Sequence, residues 1–375
     1  YNLMFDLAKK FNLEQRALKK EDAHLVFPQK LVLTRTTQDN LEKLLYPILE
    51  GRNLLLVGDA GIGKNALIYY INQLRNQPTI RFSFNQDTLP EDLVGSFRVL
   101  PNGFVWQNGP LVEAITKGYT FVADELNLAA PEILKRFTSV LERSQLGLLE
   151  KDGSTLKSKN LFNLVATQNP SRGFEGRKPL PESISRLFTT IYLQPYTLEE
   201  QVEIIAGLFP EVPSELVSII TNFQLSLEQL LWNGELANDE LEHFHFNLRT
   251  SQRFWNRAIG MGLELSLNGE LLKQILHFYI LPFKSEDDRQ KAAQLFYEKH
   301  PEVGHALKKE WQSMNDDDPI LFSINTGQPV QQEANYADPY PLTKQRMKEL
   351  AFMQLAMDAG EHLLLEGSES ARIHE

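Results

Sequence analysis

Residues 54–65, LLLVGDAGIGKN, place glycine and lysine at the spacing of a loop that cradles phosphate. Gly58, Asp59, Ala60, Gly61, Ile62, Gly63, Lys64, Asn65 and Ala66 form the expected cradle. Glycines let backbone N–H groups turn toward an anion, the following helix directs its positive end there, and Lys64 adds a mobile charge. The expected anion is the phosphate chain of a nucleotide. One position departs from the pattern. A hydroxyl residue that ligates Mg²⁺ should follow the lysine, and this chain has Asn65. An amide oxygen coordinates Mg²⁺ from further along its side chain and does not reproduce the hydroxyl geometry. Asn65 and Asp124 are the expected Mg²⁺ pair, with hydrolysis already in question.

The second chemical motif is TFVADELNLA, residues 120–129. A short strand runs into Asp124-Glu125, at the sheet edge where a phosphate loop also lies. Hydrolysis needs one carboxylate to hold the metal shell and another to polarise water in line with the γ-phosphate. Asp124 and Glu125 fit those roles in that order. A further strand ends in Thr167-Gln168-Asn169 at the same edge.

These residues need a frame to position them. Leu41, Leu44, Leu45 and Ile48 have helical spacing within 34–49, followed by strand LLLVG, the loop and a helix through Leu74. Short apolar strands follow at Ile80–Phe84, Tyr119–Ala123 and Leu161–Thr167, with helical segments between them. Such alternation predicts an α/β fold, a parallel sheet covered on both faces. Turn chemistry at Pro101-Asn102-Gly103 and at Asp152-Gly153 predicts two hairpins. Past Pro195 helical periodicity takes over. The expected domains are an N-terminal helical segment or end of a preceding module (1–33), an α/β core (34–195), a helical lid (196–311), a linker (312–341) and the start of a second module (342–375). Lys9, Lys10, Lys19 and Lys20 read as a solvated helix face. Asp316, Asp317 and Asp318 read as a solvated turn.

At 42% hydrophobic and 23% charged, the 375 residues have globular composition. A net charge of −11 argues against broad nucleic-acid binding, and zero cysteines exclude disulfides and thiolate metal sites. The apolar runs are far short of a bilayer span and the N-terminal residues show no secretory pattern, so the expectation is an intracellular protein with no membrane partner. A chain opening on Tyr1 is expected to be an excerpt of a longer polypeptide. The segment from Leu33, LTRTTQDNLEKLLYPILEGRNLLLVGDAGIGKN, is echoed without gaps from Leu342, at a constant offset of 309 residues. That predicts a tandem array, its second loop degenerate because Arg372, Ile373 and His374 replace Gly63, Lys64 and Asn65.

The run GPLVEAI, VADELNLAAPEILKRFTSVLE and FNLVATQNPSRGFEGRKPL resembles a module of the midasin family, in the dynein-related branch of the AAA+ ATPases, over residues 33–310. HFNLRTSQRFW and FKSEDDRQKAAQLF are similar to its helical lid. The resemblance implies a P-loop AAA+ core, ATP and Mg²⁺ as ligands, and neighbouring AAA+ modules as partners. Its client would be a protein assembly such as a precursor ribosomal particle, in the nucleus for a true midasin and otherwise in the cytoplasm. It implies a catalytic set of Lys64, Glu125, Asn169 as sensor 1 and Arg249 as sensor 2, with Arg253 one turn away. The arginine finger is displaced: the family position falls on Leu187, and Arg186 is one residue early. Two alternatives stay open, a nucleotide-bound ring module that hydrolyses nothing and a MoxR-type chaperone relative. His243 and His245 read as structural, and Phe254 and Trp255 as core.

Overall fold

The computed structural model describes residues 16–101, 103–159, 161–169, 179–237, 244, 246–267, 269–283 and 285–301, with 353 and 357. The candidate linker, the repeat from Leu342 apart from Met353 and Met357, Lys9, Lys10, His243, His245 and the aspartates at 316–318 lie outside these residues. The chain divides into two units, Tyr1–Leu208 and Phe209–Glu375.

In the first unit, five strands form a parallel sheet: β1 (Leu54–Val57), β2 (Thr79–Ser83), β5 (Thr120–Asp124), β8 (Asn163–Gln168) and β9 (Thr189–Tyr192). Their order is β2-β5-β8-β1-β9. Side chains alternate between the faces, so each strand feeds two apolar layers. Leu54, Leu56, Val122, Val165 and Ile191 pack under helices α1 (Arg35–Leu49) and α2 (Lys64–Leu74). Leu55, Phe121, Ala123, Leu164 and Ala166 face the opposite layer. That layer is built from α3 (Pro90–Val94), α4 (Pro110–Lys117), α5 (Pro131–Arg143) and α6 (Glu182–Ser185). Helix α7 (Leu198–Leu208) completes the unit. Thr34 caps α1, its hydroxyl accepting from the Thr37 amide at 3.2 Å.

The α/β expectation is met, and three details differ from the sequence reading. β9 is an additional strand, beside β1 at the sheet edge. Before α1 the described residues form a six-residue 3₁₀ helix, Lys20–Leu25, rather than a longer α-helix. The second hairpin, β6 (Gln145–Leu148) with β7 (Ser154–Lys157), closes through five residues rather than two. The amides of Lys151, Asp152 and Gly153 all converge on the Leu148 carbonyl, which ends the ladder there. The first hairpin, β3 (Gly95–Leu100) with β4 (Gly103–Asn108), pairs in register Phe97↔Trp106 and Val99↔Phe104, with Phe97, Val99 and Phe104 exposed.

The described residues of the second unit form helices only: α8 (Ser214–Trp232), α9 (Leu248–Gly260), α10 (Gly269–Ile275) continuing into a π-helical turn Leu276–Ile280, and α11 (Glu286–Lys299). Phe254 and Trp255 are fully buried, as their reading as core required. A buried polar node locks α8 to α9: Gln224 Oε1 accepts from the Ser251 hydroxyl at 2.8 Å and from the Tyr279 hydroxyl at 3.2 Å.

His277 is buried on the π-helical turn. Burial, then the Arg257 and Lys273 charges, hold its pKa down to about 4. The unfolded chain therefore binds the proton more tightly than the fold, and stability is full above pH 6.5 and lost as pH falls toward 4. Chemical denaturation at pH 7 and pH 4.5 should show wild type losing about 2 kcal/mol more than His277→Gln. Equal losses in the two proteins would refute this.

Candidate functional site

The sheet's carboxyl edge gathers the chemistry. β1 ends at Val57, and the chain turns through Gly58–Gly63 into α2. Gly61 and Gly63 take φ of 82° and 84°, left-handed values that side chains resist, so the glycine spacing is a conformational requirement. Gly63 is the N-cap of α2. Lys64 folds back over the loop: its Nζ donates to the Gly58 carbonyl at 2.6 Å, the Asp59 carbonyl at 3.0 Å and Asn169 Oδ1 at 2.5 Å. The Asn169 amide donates in turn to Glu125 Oε1. Lys64, Asn169 and Glu125 thus form one polar chain across the ends of β1, β8 and β5.

Glu125 adopts φ 56° just past β5, a left-handed turn that lifts its side chain out of the strand direction. Its amide donates to Thr167 Oγ1 at 3.3 Å. Its second carboxylate oxygen, Oε2, is buried and accepts no protein hydrogen bond. A buried carboxylate oxygen without a donor is costly, and a water molecule is the natural partner.

Asp124 is engaged on both oxygens. Oδ1 accepts from the Thr167 hydroxyl. Oδ2 accepts from Asn65 Nδ2 at 3.0 Å, from Arg81 Nε at 2.9 Å and from Arg81 Nη2. Burial pushes the Asp124 carboxyl up, but the bonds from Thr167, Arg81 and Asn65 and the Arg81 charge outweigh it, holding the group below the usual carboxylate range. Arg81 is the residue that sequence reasoning missed. It pairs in register with Val122, so its side chain leans one diagonal step along the same sheet face to Asp124. Tyr69, one turn after Asn65 on α2, interacts with the same guanidinium. The available signal was a single arginine within the apolar strand TIRFS, which gains meaning only once β2 is known to lie beside β5.

The pair expected to hold Mg²⁺, Asn65 and Asp124, is engaged by protein partners in this arrangement. Mg²⁺ demands oxygen ligands in near-octahedral array, with carboxylate charge to hold it. Asn65 turns its NH₂ toward the carboxylate, as a neighbouring anion requires, while its Oδ1 is buried and without a hydrogen-bond partner. The carboxylate that Asn65 bonds is already paired with a guanidinium. The residues present do not fit the ion at that pair.

Arg249 lies in the second unit, exposed in the first turn of α9, where Asn247 caps the helix by accepting from the Arg249 amide at 3.0 Å. Arg253 stacks its guanidinium over Phe278, 5.8 Å from the ring centre, and is thereby occupied within its own unit. Arg186 is exposed and pairs with Glu182 one turn back, and Leu187 is half-buried.

Comparison with known proteins finds similarity over this edge. Residues 53–188 match the AAA domain (dynein-related subfamily). Midasin of Giardia intestinalis is 30% identical over 185 residues, which is 49% of this chain and 4% of that protein. Midasin of Dictyostelium discoideum is 26% identical over 267 residues, covering 70% of this chain and again 4% of the relative. The chain therefore spans only a small fraction of the length of these relatives. A solved structure described as a putative ATPase from Cytophaga hutchinsonii aligns at 20% identity and a TM-score of 0.39, covering 78% of this chain and 93% of that one. Among the described residues no helix is long and apolar enough to cross a membrane. Four of the five sheet strands, the phosphate loop and the Asp124-Glu125 strand end lie inside the segment that matches the AAA domain of the dynein-related subfamily.

Proposed function

We propose that this chain is an ATP-binding AAA+ module of a midasin-like tandem ATPase, which turns ATP over slowly and couples its γ-phosphate to motion of a helical lid. The observation that carries the reading is the polar chain Lys64–Asn169–Glu125 over the left-handed glycine loop. An arriving phosphate competes for the Lys64 ammonium, which then releases Asn169. Asn169 and Glu125 are thereby free to hold a water molecule against the γ-phosphorus, with the buried Glu125 Oε2 as the accepting atom. Arg249 on the lid is the candidate reader of the γ-phosphate, a differential contact of the nucleotide-switch type. Arg186, exposed beside β9, is the candidate finger for a neighbouring module, and its single turn of helix absorbs the one-residue shift.

Remodelling of a precursor ribosomal particle in the nucleus follows from the likeness to midasins and belongs to this proposal, as do the tandem arrangement and the domain limits given above. A MoxR-type chaperone cycle uses the same site chemistry. The reading of the module as a nucleotide-bound ring element without turnover is favoured by Asn65 and Leu187 and by the four hydrogen bonds that occupy Asp124.

Single-turnover phosphate release, measured with and without Mg²⁺ on the chain and on a longer polypeptide carrying its neighbour, decides between the two. Glu125→Gln should keep ATP affinity and slow release about 100-fold. Release that is undetectable in wild type, or unchanged in the variant, would leave only the non-hydrolysing module.

A further inference from the structure

Arg81 holds its guanidinium against Asp124, the carboxylate expected to serve a metal at this loop. The Asp124 carboxylate lies 3.0 Å from the side-chain amide of Asn65, the second residue of the phosphate-loop helix, so its charge would sit beside an anion bound at that loop. A bare carboxylate there would repel a triphosphate. Divalent metal ordinarily removes that repulsion by screening both partners. Here the guanidinium does it from within the protein, through two nitrogens on one carboxylate oxygen. Both are charge-assisted hydrogen bonds, which are stronger than neutral ones. The Asp124 side chain is only 11% exposed while Arg81 is 45% exposed, so the carboxylate is sealed and the cation borders the open side. Tyr69 on α2 interacts with the same guanidinium from a second element. Asn65 completes the arrangement: where a hydroxyl would ligate the ion, an amide N–H instead secures the carboxylate.

We propose that Arg81 stands in for the divalent ion at Asp124, so that this module takes a metal-free nucleoside di- or triphosphate as its ligand. The proposal rests on the nucleotide reading of the loop and specifies the form in which the nucleotide is bound. It also accounts for the unusual residue after Lys64: a position that ligates no metal has no need of a hydroxyl.

Calorimetric titration of the folded chain with ATP, once with Mg²⁺ and once with EDTA, provides the test. Wild-type affinity should agree between the two buffers within about threefold. Arg81→Ala should bind ATP about tenfold more weakly in EDTA and recover in Mg²⁺, because the exposed carboxylate now requires an ion. The double variant Arg81→Ala with Asp124→Asn should regain binding in EDTA, since the repelling charge is gone. A purely structural role for Arg81 would show no such rescue. Wild-type affinity that falls more than threefold in EDTA, or Arg81→Ala binding that matches wild type in EDTA, overturns the proposal and leaves the nucleotide reading intact. Absence of binding in both buffers removes both readings. If Arg81→Ala melts below the assay temperature, Arg81→Lys, which keeps the charge, should retain EDTA binding, and a loss there counts against the proposal.

Discussion

Lys64→Ala should lower ATP affinity about 100-fold with little change in melting temperature. The ammonium is drawn over the loop by two carbonyls and the Asn169 amide oxygen, the position from which a phosphate would claim it. A hydrogen bond to a charged group contributes about 1.5–3 kcal/mol when the partner is sheltered, and the upper part of that range corresponds to about two decades in Kd. Stability should respond little, because Asp59 is exposed and the Lys64 contact to the Gly58 carbonyl is only part-buried, so both carbonyls can regain water when the ammonium leaves. Calorimetry gives the affinity and thermal unfolding the control. An affinity loss under about threefold would mean that the anion lies elsewhere.

The second large effect is structural. Phe137 on α5 is fully buried against the sheet, edge-on to Phe84 at 5.7 Å and tilted against Phe121 of β5 at 6.3 Å. Truncation to alanine should destabilise the first unit by about 3–5 kcal/mol, the sum of lost transfer energy and the cavity left behind. Phe137→Leu should cost under about 2 kcal/mol, because it keeps most of the volume. Since Phe121 lies on the strand that carries Asp124 and Glu125, urea denaturation and nucleotide binding should weaken in the same order across these two variants. A Phe137→Ala loss below about 1 kcal/mol would show that the layer closes the cavity by itself.

The phosphate loop was legible before any coordinates because its chemistry is local: strand, glycines, lysine and helix are contiguous. The same holds for Asp124-Glu125 and for Asn169, each placed at a strand end by a short apolar run. β9 was not legible, because of its residues Thr189–Tyr192 only Ile191 is buried, which leaves no alternation to detect. Arg81 was invisible for a different reason. Its partner is 43 residues away, and the contact exists only because β2 pairs with β5 at one register. Thr167 belongs with it: its hydroxyl serves both Asp124 and the Glu125 amide, yet a strand threonine announces nothing. The five-residue closure of the second hairpin shows the limit of turn dipeptides. Asp152-Gly153 does mark the bend, but three amides gathering on one carbonyl decide where the ladder ends.

The left-handed backbone at Glu125 sets thermal robustness against chemistry at one residue. An L-residue there costs on the order of 1 kcal/mol that glycine would not. Glycine at this position should therefore raise the melting point while abolishing the acid-base group, and a screen for heat tolerance would select against turnover. Sequence optimisation of the module for expression or crystallisation should hold residue 125 fixed.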